Sequence, residues 1–326
     1  MRVTSECDSI NSIEISLAEG IQTNPQVAFD GTNYLAVWSD GRLVDNFIVY
    51  AARVTTAGEV LDPDGIQVGP ANGSFQHKPS IAFIGDKYFV VWGHLLAPFG
   101  ITGRFINPDG TLGDTMRVAS AVAEVHNTCI VYDGNKMLVV WSEYPGTVYG
   151  QFVSTEGTLI GPVFTIATDV MVTSSGSTCF SGSEYMVVWC RWALVIMELW
   201  GRKYDASGNP LGEPFLIANP AHSSMDSYVV ADPEHYLCVW SRMSSQCDIY
   251  GNLDVDVGVV ENETRSVSGE VPIATTVVSG PLPLPADKKY KVFDISGREV
   301  RNTNPAPGIY FIELDEMVVQ KVVKVR

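Results

Sequence analysis

Two residues after each of five regularly spaced tryptophans stand Asp40, His94, Glu143, Arg191 and Arg242. Acid, imidazole and guanidinium thus occupy one recurring position. Asn24, His77, His126, Asn127 and Asp226 fall in connections expected at the same end of the repeats. Three kinds of chemistry are open to such a set. Glycoside hydrolysis needs two carboxylates, one as acid and one as base or nucleophile, and Asp40, Glu143 and Asp226 could supply an inverting pair. A metal site needs neutral imidazoles at defined spacing, which the scattered His77, His94 and His126 lack, so neither metal nor cofactor is expected. Varied side chains on a constant frame also describe a ligand-binding face, and equally an unconstrained surface.

Other motifs are poorer. Asp62-Pro63-Asp64-Gly65 and Asn107-Pro108-Asp109-Gly110 hint at calcium loops but lack the length and the terminal Glu, so turn chemistry explains them better. Asp30, Asp133 and Asp232 fall in tight turns, where Asp is expected to bond its own backbone, at the opposite end from Asp40 and Glu143. There is no Gly-rich phosphate loop and no Ser nucleophile elbow.

The elements that position these residues repeat. Tyr34-Leu35-Ala36-Val37-Trp38 returns as Tyr88-Phe89-Val90-Val91-Trp92, Met137-Leu138-Val139-Val140-Trp141, Tyr185-Met186-Val187-Val188-Trp189 and Tyr236-Leu237-Cys238-Val239-Trp240. The tryptophans are 54, 49, 48 and 51 residues apart, the mark of a repeat architecture. Each run is apolar on both faces, so each predicts a strand covered on both sides. Burying one indole, about 150–250 Å², is worth at most about 4–6 kcal/mol.

Each repeat reads as four strands, A to D. Strand A (26–29, then 80–83, 129–132, 177–180 and 228–231) leads through a Gly/Asn/Asp turn into the Trp strand B. Strand C (48–54, 101–105, 148–152, 199–203, 249–253) follows, then a short D at 66–68, 116–118, 164–166 and 215–217. Four antiparallel strands per unit of about 50 residues make a propeller blade. The expected fold is all-β: a five-bladed β-propeller over residues 1–275, then a small Ig-like β-sandwich over 276–326. Ile13-Glu14-Ile15-Ser16-Leu17 resembles a D strand and is expected to complete blade 5. Glu270-Val271-Pro272-Ile273-Ala274-Thr275 competes for that slot, but Pro272 would interrupt a ladder.

Composition narrows the classes. A formal charge of −16 argues against nucleic acid or an anionic membrane as partner. No apolar run approaches the 18 residues of a transmembrane helix. Residues 1–8 have no apolar core and are not a signal peptide, so export would mean that a leader was removed or that this chain is a fragment. Six cysteines, 7, 129, 179, 190, 238 and 247, show no metal spacing. Cys238 and Cys247 flank one hairpin and could pair. Cys129 and Cys179 are expected on opposite strand faces.

The last residues read as three alternating strands (288–300, 307–314, 318–325). Phe293-Asp294-Ile295-Ser296-Gly297-Arg298, Pro307-Gly308-Ile309-Tyr310-Phe311 and the basic-apolar end from Lys321 resemble the C-terminal sorting domain of bacterial type IX secretion cargo. The Asn-Pro start common in such tails is missing. The repeats resemble the Val-Val-Trp propellers of large secreted bacterial proteins. These resemblances imply export across the outer membrane, secretion or cell-surface attachment, and the secretion machinery as partner through Asp294, Gly297, Arg298, Pro307, Gly308, Tyr310 and Lys321. They imply no agreed activity.

One loop differs from its counterparts: Arg191 to Trp200 is apolar where the other blades are polar. It predicts an extended hairpin or a contact patch for a partner or sugar ring around Trp192. The sequence therefore leads to a binding or adhesion propeller without catalysis. Its candidate face is Asp40, His77, His94, His126, Glu143, Trp192, Asp226 and Arg242, and its ligand a surface glycan or a protein. A secreted carbohydrate-active enzyme and a structural surface module are the alternatives.

Overall fold

The computed structural model describes residues 2–3, 9–43, 46–71, 75–168, 176–193, 196–218, 224–243, 247–253, 274–278, 282, 290–294, 298–300, 304–306, 308–314 and 317–324. No helix occurs among them. The chain divides into two compact units, Met1–Val260 and Glu261–Arg326.

The first unit is a five-bladed β-propeller. Blade 1 is Gln22–Phe29, Asn33–Leu43, Asn46–Thr55 and Ile66–Gln67. Blade 2 is Gln76–Phe83, Tyr88–His94, Gly100–Ile106 and Leu112–Ser120. Blade 3 is Val125–Tyr132, Lys136–Glu143, Thr147–Ser154 and Leu159–Ala167. Blade 4 is Ser177–Phe180, Glu184–Ala193, Ile196–Asp205 and Phe215–Ala218. Blade 5 shows three strands among the described residues, Ser224–Ala231, Tyr236–Met243 and Cys247–Leu253. Blades 1 to 4 run A-B-C-D and blade 5 runs A-B-C among the described residues, antiparallel throughout, and the A strands of consecutive blades lie side by side.

The double apolar face of strand B is what stacks the blades. Trp92 packs with Leu35 and Val37 of blade 1; Trp141 with Phe89 and Val91 of blade 2; Trp189 with Leu138 and Val140 of blade 3; Trp240 with Met186 and Val188 of blade 4. Every Trp thus faces the preceding blade, and the residues between face the next. Among the described residues, no strand of another blade joins the Trp38 cluster. Ile15 and Val60 pack on that cluster instead, and residues 13–17, expected as a strand, form none. The outward residues Val27 and Phe29 of blade 1 and Tyr228, Val230, Leu237 and Leu253 of blade 5 are exposed. Before blade 1, Arg2–Val3 pairs with Ser9–Asn11, where the sequence shows no pattern.

Polar tethers repeat as well. The A–B turns are tight: Gly134 sits at φ +96°, and Asp133 Oδ1 accepts from the Asn135 and Lys136 amides at 2.7 Å. Asp30 and Asp232 do the same in blades 1 and 5. The tyrosine opening strand B then reaches back one blade. Tyr88 donates to the Asn33 carbonyl at 3.1 Å, Tyr185 to Asp133, and Tyr236 to Glu184 at 3.4 Å. Burial and the nearby carboxylate push the Tyr88 and Tyr185 hydroxyls well above their usual range, so both stay protonated donors.

The cysteine expectations change. Cys238 is a free thiol and lies opposite Asn252, not Cys247. Cys129 and Cys179 both face the following blade: Cys129 packs in the blade 3–4 layer and Cys179 in the blade 4–5 layer, two register positions apart.

In the second unit the described strands form one sheet, ordered Ala274–Val278, Met317–Lys324, Gly308–Leu314, Tyr290–Asp294. The first pair is parallel and the others antiparallel. Leu282, Val292, Tyr310 and Ile312 form its core. Ala274–Val278 thus joins this sheet. The second layer of a β-sandwich is not among the described residues.

Candidate functional site

The starts of strands A and the ends of strands B meet at one end of the propeller. Gln22 pairs with Asp40, Gln76 with His94, Val125 with Glu143 and Ser224 with Arg242. Just inside this row every full-length A strand is bulged: between Thr23 and Gln26, His77 and Ser80, Val125 and Asn127, Met225 and Ser227. The bulged residues are Asn24, Lys78, His126 and Asp226. Asn24 and Lys78 lie at φ +55° and +46°, a left-handed conformation costly for Lys. Each precedes a proline that cannot donate to the ladder, which is why the strand bulges there.

The bulges gather one polar cluster. Lys78 Nζ donates to Asn127 Oδ1 at 2.7 Å across the blade 2–3 junction, and Thr128 donates to the Lys78 carbonyl. His77 lies close enough to Lys78 and His126 to feel both charges. With burial as the larger cause, its imidazole is pushed down to about 4 and stays neutral at pH 7. His126 Nε2 is 3.6 Å from Glu124, and its ring centroid is 6.1 Å from that of Tyr144. Asn24 Oδ1, His77 Nδ1, His126 Nε2 and Asn127 Nδ2 are all buried without a hydrogen-bond partner in the protein. Each such atom costs about 1–3 kcal/mol unless a ligand or solvent serves it.

The positions two after Trp do a different job. Asp40 is 1% exposed; it accepts the Trp38 indole N–H at 2.7 Å and a two-pronged contact from Arg42 at 2.8–2.9 Å. Burial alone would raise its carboxyl, but the Arg42 and Trp38 hydrogen bonds outweigh it and hold the group below the usual range. Glu143, 6% exposed, accepts the Trp141 indole N–H at 3.0 Å. His94 is tied by Nε2 to Thr102 Oγ1 at 2.8 Å, and burial and then Arg117 push it down to about 4. Arg191 faces Glu198 at 3.8 Å. The side chains of Trp192, Asp226 and Arg242 lie outside the described residues. In the apolar segment strands B and C of blade 4 stay paired as far as Trp192 opposite Met197 and Ala193 opposite Ile196.

The structure therefore brings His77 and His126 together, while Asp40 and Glu143 serve buried indoles. Sequence reasoning missed Lys78, Glu124 and Tyr144. The signal was present: Asn24-Pro25 and Lys78-Pro79 occupy one place in two blades. The calcium hint is also answered, since Asp62 is held by Arg53 at 2.8–2.9 Å and Asp109 accepts from the Thr111 amide. No group of three or more metal-ligating side chains occurs among the described residues.

No protein-family model and no curated protein matches this sequence. Solved structures do. An α-L-arabinanase from Penicillium chrysogenum aligns at TM-score 0.53 and 13% identity, over 74% of this chain and 79% of that one. An endo-arabinase from Bacteroides thetaiotaomicron aligns at 0.48 and 11%, over 75% and 97%. An exo-β-1,3-galactanase from Phanerochaete chrysosporium aligns at 0.48 and 11%, over 76% of this chain but only 62% of its own length. The arabinanase match establishes the five-bladed propeller. That match also corrects the expectation of a binding or adhesion propeller without catalysis, since the neighbour is an enzyme on this fold; at 13% identity the likeness itself is one of fold.

Proposed function

We propose that this chain is a carbohydrate-active enzyme, a glycoside hydrolase that takes its saccharide at the starts of the inner strands. The observation that carries this reading is the set of four buried, unpartnered polar atoms on Asn24, His77, His126 and Asn127. They include acceptors and donors and lie on adjoining inner strands, which suits the hydroxyls of a sugar. Polysaccharides rich in arabinose or galactose are the first substrates to try, from the names of the structural neighbours.

Hydrolysis needs two carboxylates. Asp40 and Glu143 are poor candidates because each is buried against an indole. Glu124, beside His126, and Asp226, at the blade 5 bulge, are the better pair. The test is incubation with arabinan, β-1,3-galactan and xyloglucan followed by measurement of new reducing ends. Release by the wild type is expected, reduced about 10²- to 10⁴-fold in Glu124→Gln and Asp226→Asn. No release from any of the three would overturn the reading.

Export belongs to the same proposal. The tail motif places Tyr310 in the second unit's core, where its hydroxyl donates to the Ala306 carbonyl at 2.7 Å, and leaves Arg298 exposed. Gly308 and Lys321 are a strand start and a strand interior; the side chain of Asp294 and residues Gly297 and Pro307 lie outside the described set. Secretion or surface attachment through this unit is tested by deleting residues 276–326 and assaying the medium and the cell surface.

A further inference from the structure

We infer that a second saccharide site lies off the axis, in the cleft between strand D of blade 3 and strands B and C of blade 4 with the connection that follows strand C. The cleft has a volume of about 410 Å³ and is lined by Thr165, Trp189, Arg191, Trp200, Arg202 and Glu213 among others. That volume lies within the range of small-molecule sites. Its chemistry is mixed in a specific way. Trp189 is buried, while Trp200 is only part-buried and offers apolar ring surface of the kind that stacks on the C–H face of a sugar. Around that surface stand two guanidiniums, a carboxylate and a threonine hydroxyl, which together donate to and accept from vicinal hydroxyls.

The site is held in shape. Trp200 donates its indole N–H to Glu198 at 2.8 Å, and the Arg191 guanidinium lies 5.2 Å from the Trp200 ring centroid. Arg202 donates from Nε to the Gly212 carbonyl at 3.0 Å. Arg191 Nε is buried with no hydrogen-bond partner in the protein; the nearest Glu198 oxygen is 3.8 Å away. The charges nearly cancel, with Arg191 and Arg202 against Glu198 and Glu213. A strong anion therefore gains little here, and a neutral saccharide fits best. None of the residues used is in the inner-strand cluster, so this site would hold a polysaccharide chain beside the one being cut.

The inference concerns the same ligand class as the proposed hydrolase, and the experiment separates the two. Wild-type protein is run in native gels containing arabinan, β-1,3-galactan or xyloglucan, alongside Trp200→Ala and Arg202→Ala, with circular dichroism to confirm folding. At least one polysaccharide should retard the wild type, and both variants should weaken that retention by about tenfold or more. Release of reducing ends from short oligosaccharides should stay at the wild-type level. Arg202→Ala removes a rim contact and keeps the indoles, so it decides the matter if Trp200→Ala fails to fold. Equal retention of folded variants and wild type, or no retention in any gel, would overturn the second site. Cleft-dependent retention without any reducing ends would instead sink the hydrolase and leave this site standing.

Discussion

The Trp141 indole donates its Nε1–H to Glu143 Oε1 at 3.0 Å, so a carboxylate that looks catalytic in the sequence is the acceptor for a buried tryptophan. Trp38 and Asp40 repeat the arrangement at 2.7 Å. Residues two apart on a strand point the same way, which brings each acceptor over its indole. Glu143→Val should therefore leave an orphaned N–H and cost about 1–3 kcal/mol in urea denaturation, while Glu143→Gln, which keeps an acceptor, should cost less than about 1. Reducing-end release by the Gln variant should match wild type. A hundredfold loss in folded protein would return Glu143 to the chemistry.

Trp141 itself is 1% exposed, stacks on Tyr149 with centroids 5.7 Å apart and closes the layer between blades 2 and 3. Trp141→Ala should cost about 3–5 kcal/mol through the cavity it opens. A loss under about 1 kcal/mol by the same denaturation measurement would contradict the stacking of the blades.

Strand C carries a glycine in four blades, and in blades 2 and 3 a neighbouring ring fills the space a side chain would need. A Cβ on Gly103 would sit 2.4 Å from the Phe89 ring, and Phe89 is fully buried and in contact with Phe105 at 4.5 Å between centroids. Gly103→Ala should destabilise by about 1–3 kcal/mol through overpacking. The comparison is Gly85→Ala: an added Cβ there meets nothing, so its cost comes only from the backbone at φ +101°. Crystal structures of both variants would show whether Phe89 moves in the first alone.

The repeat was legible because one physical requirement recurs: an apolar strand covered on both faces must alternate Trp-side and Val-side residues, and it does so from Tyr34 to Trp240. The A–B turns were legible for the same reason, since Asp30, Asp133 and Asp232 meet their own backbone. The site was less so. Residue type at positions 40 and 143 gives a carboxylate but not its partner, and only the strand geometry shows the indole above it. Lys78 reads as an ordinary surface cation until the bulge turns it toward Asn127. Ile15 was misplaced because a D-like pattern fits any apolar blade face, and it packs on the Trp38 cluster of blade 1 instead.

His77 and His94 give the fold a pH dependence with a definite sign. Both are neutral in the folded chain down to about 4: burial is the main cause, reinforced by Lys78 and His126 for the first and by Arg117 for the second. In the unfolded chain each titrates near 6.5. As pH falls from about 6.5 to 4, the unfolded state binds protons that the folded state refuses, so stability is complete above 6.5 and drains away through that window. The slope approaches about 1.4 kcal/mol per pH unit for each histidine, less where solvent reaches the ring. Asp40 and Asp62 cannot account for a change there. Their folded carboxyls lie below the ordinary 3.8, so what they contribute is kept down to that pH and lost only beneath it. Urea midpoints measured from pH 7.5 to 4.5 should fall steadily, and the His77→Gln/His94→Gln double variant should flatten the fall. A wild-type midpoint that does not move across this range would mean that the two imidazoles are solvated, and that the inner-strand cluster around His77 is not the desolvated site described above.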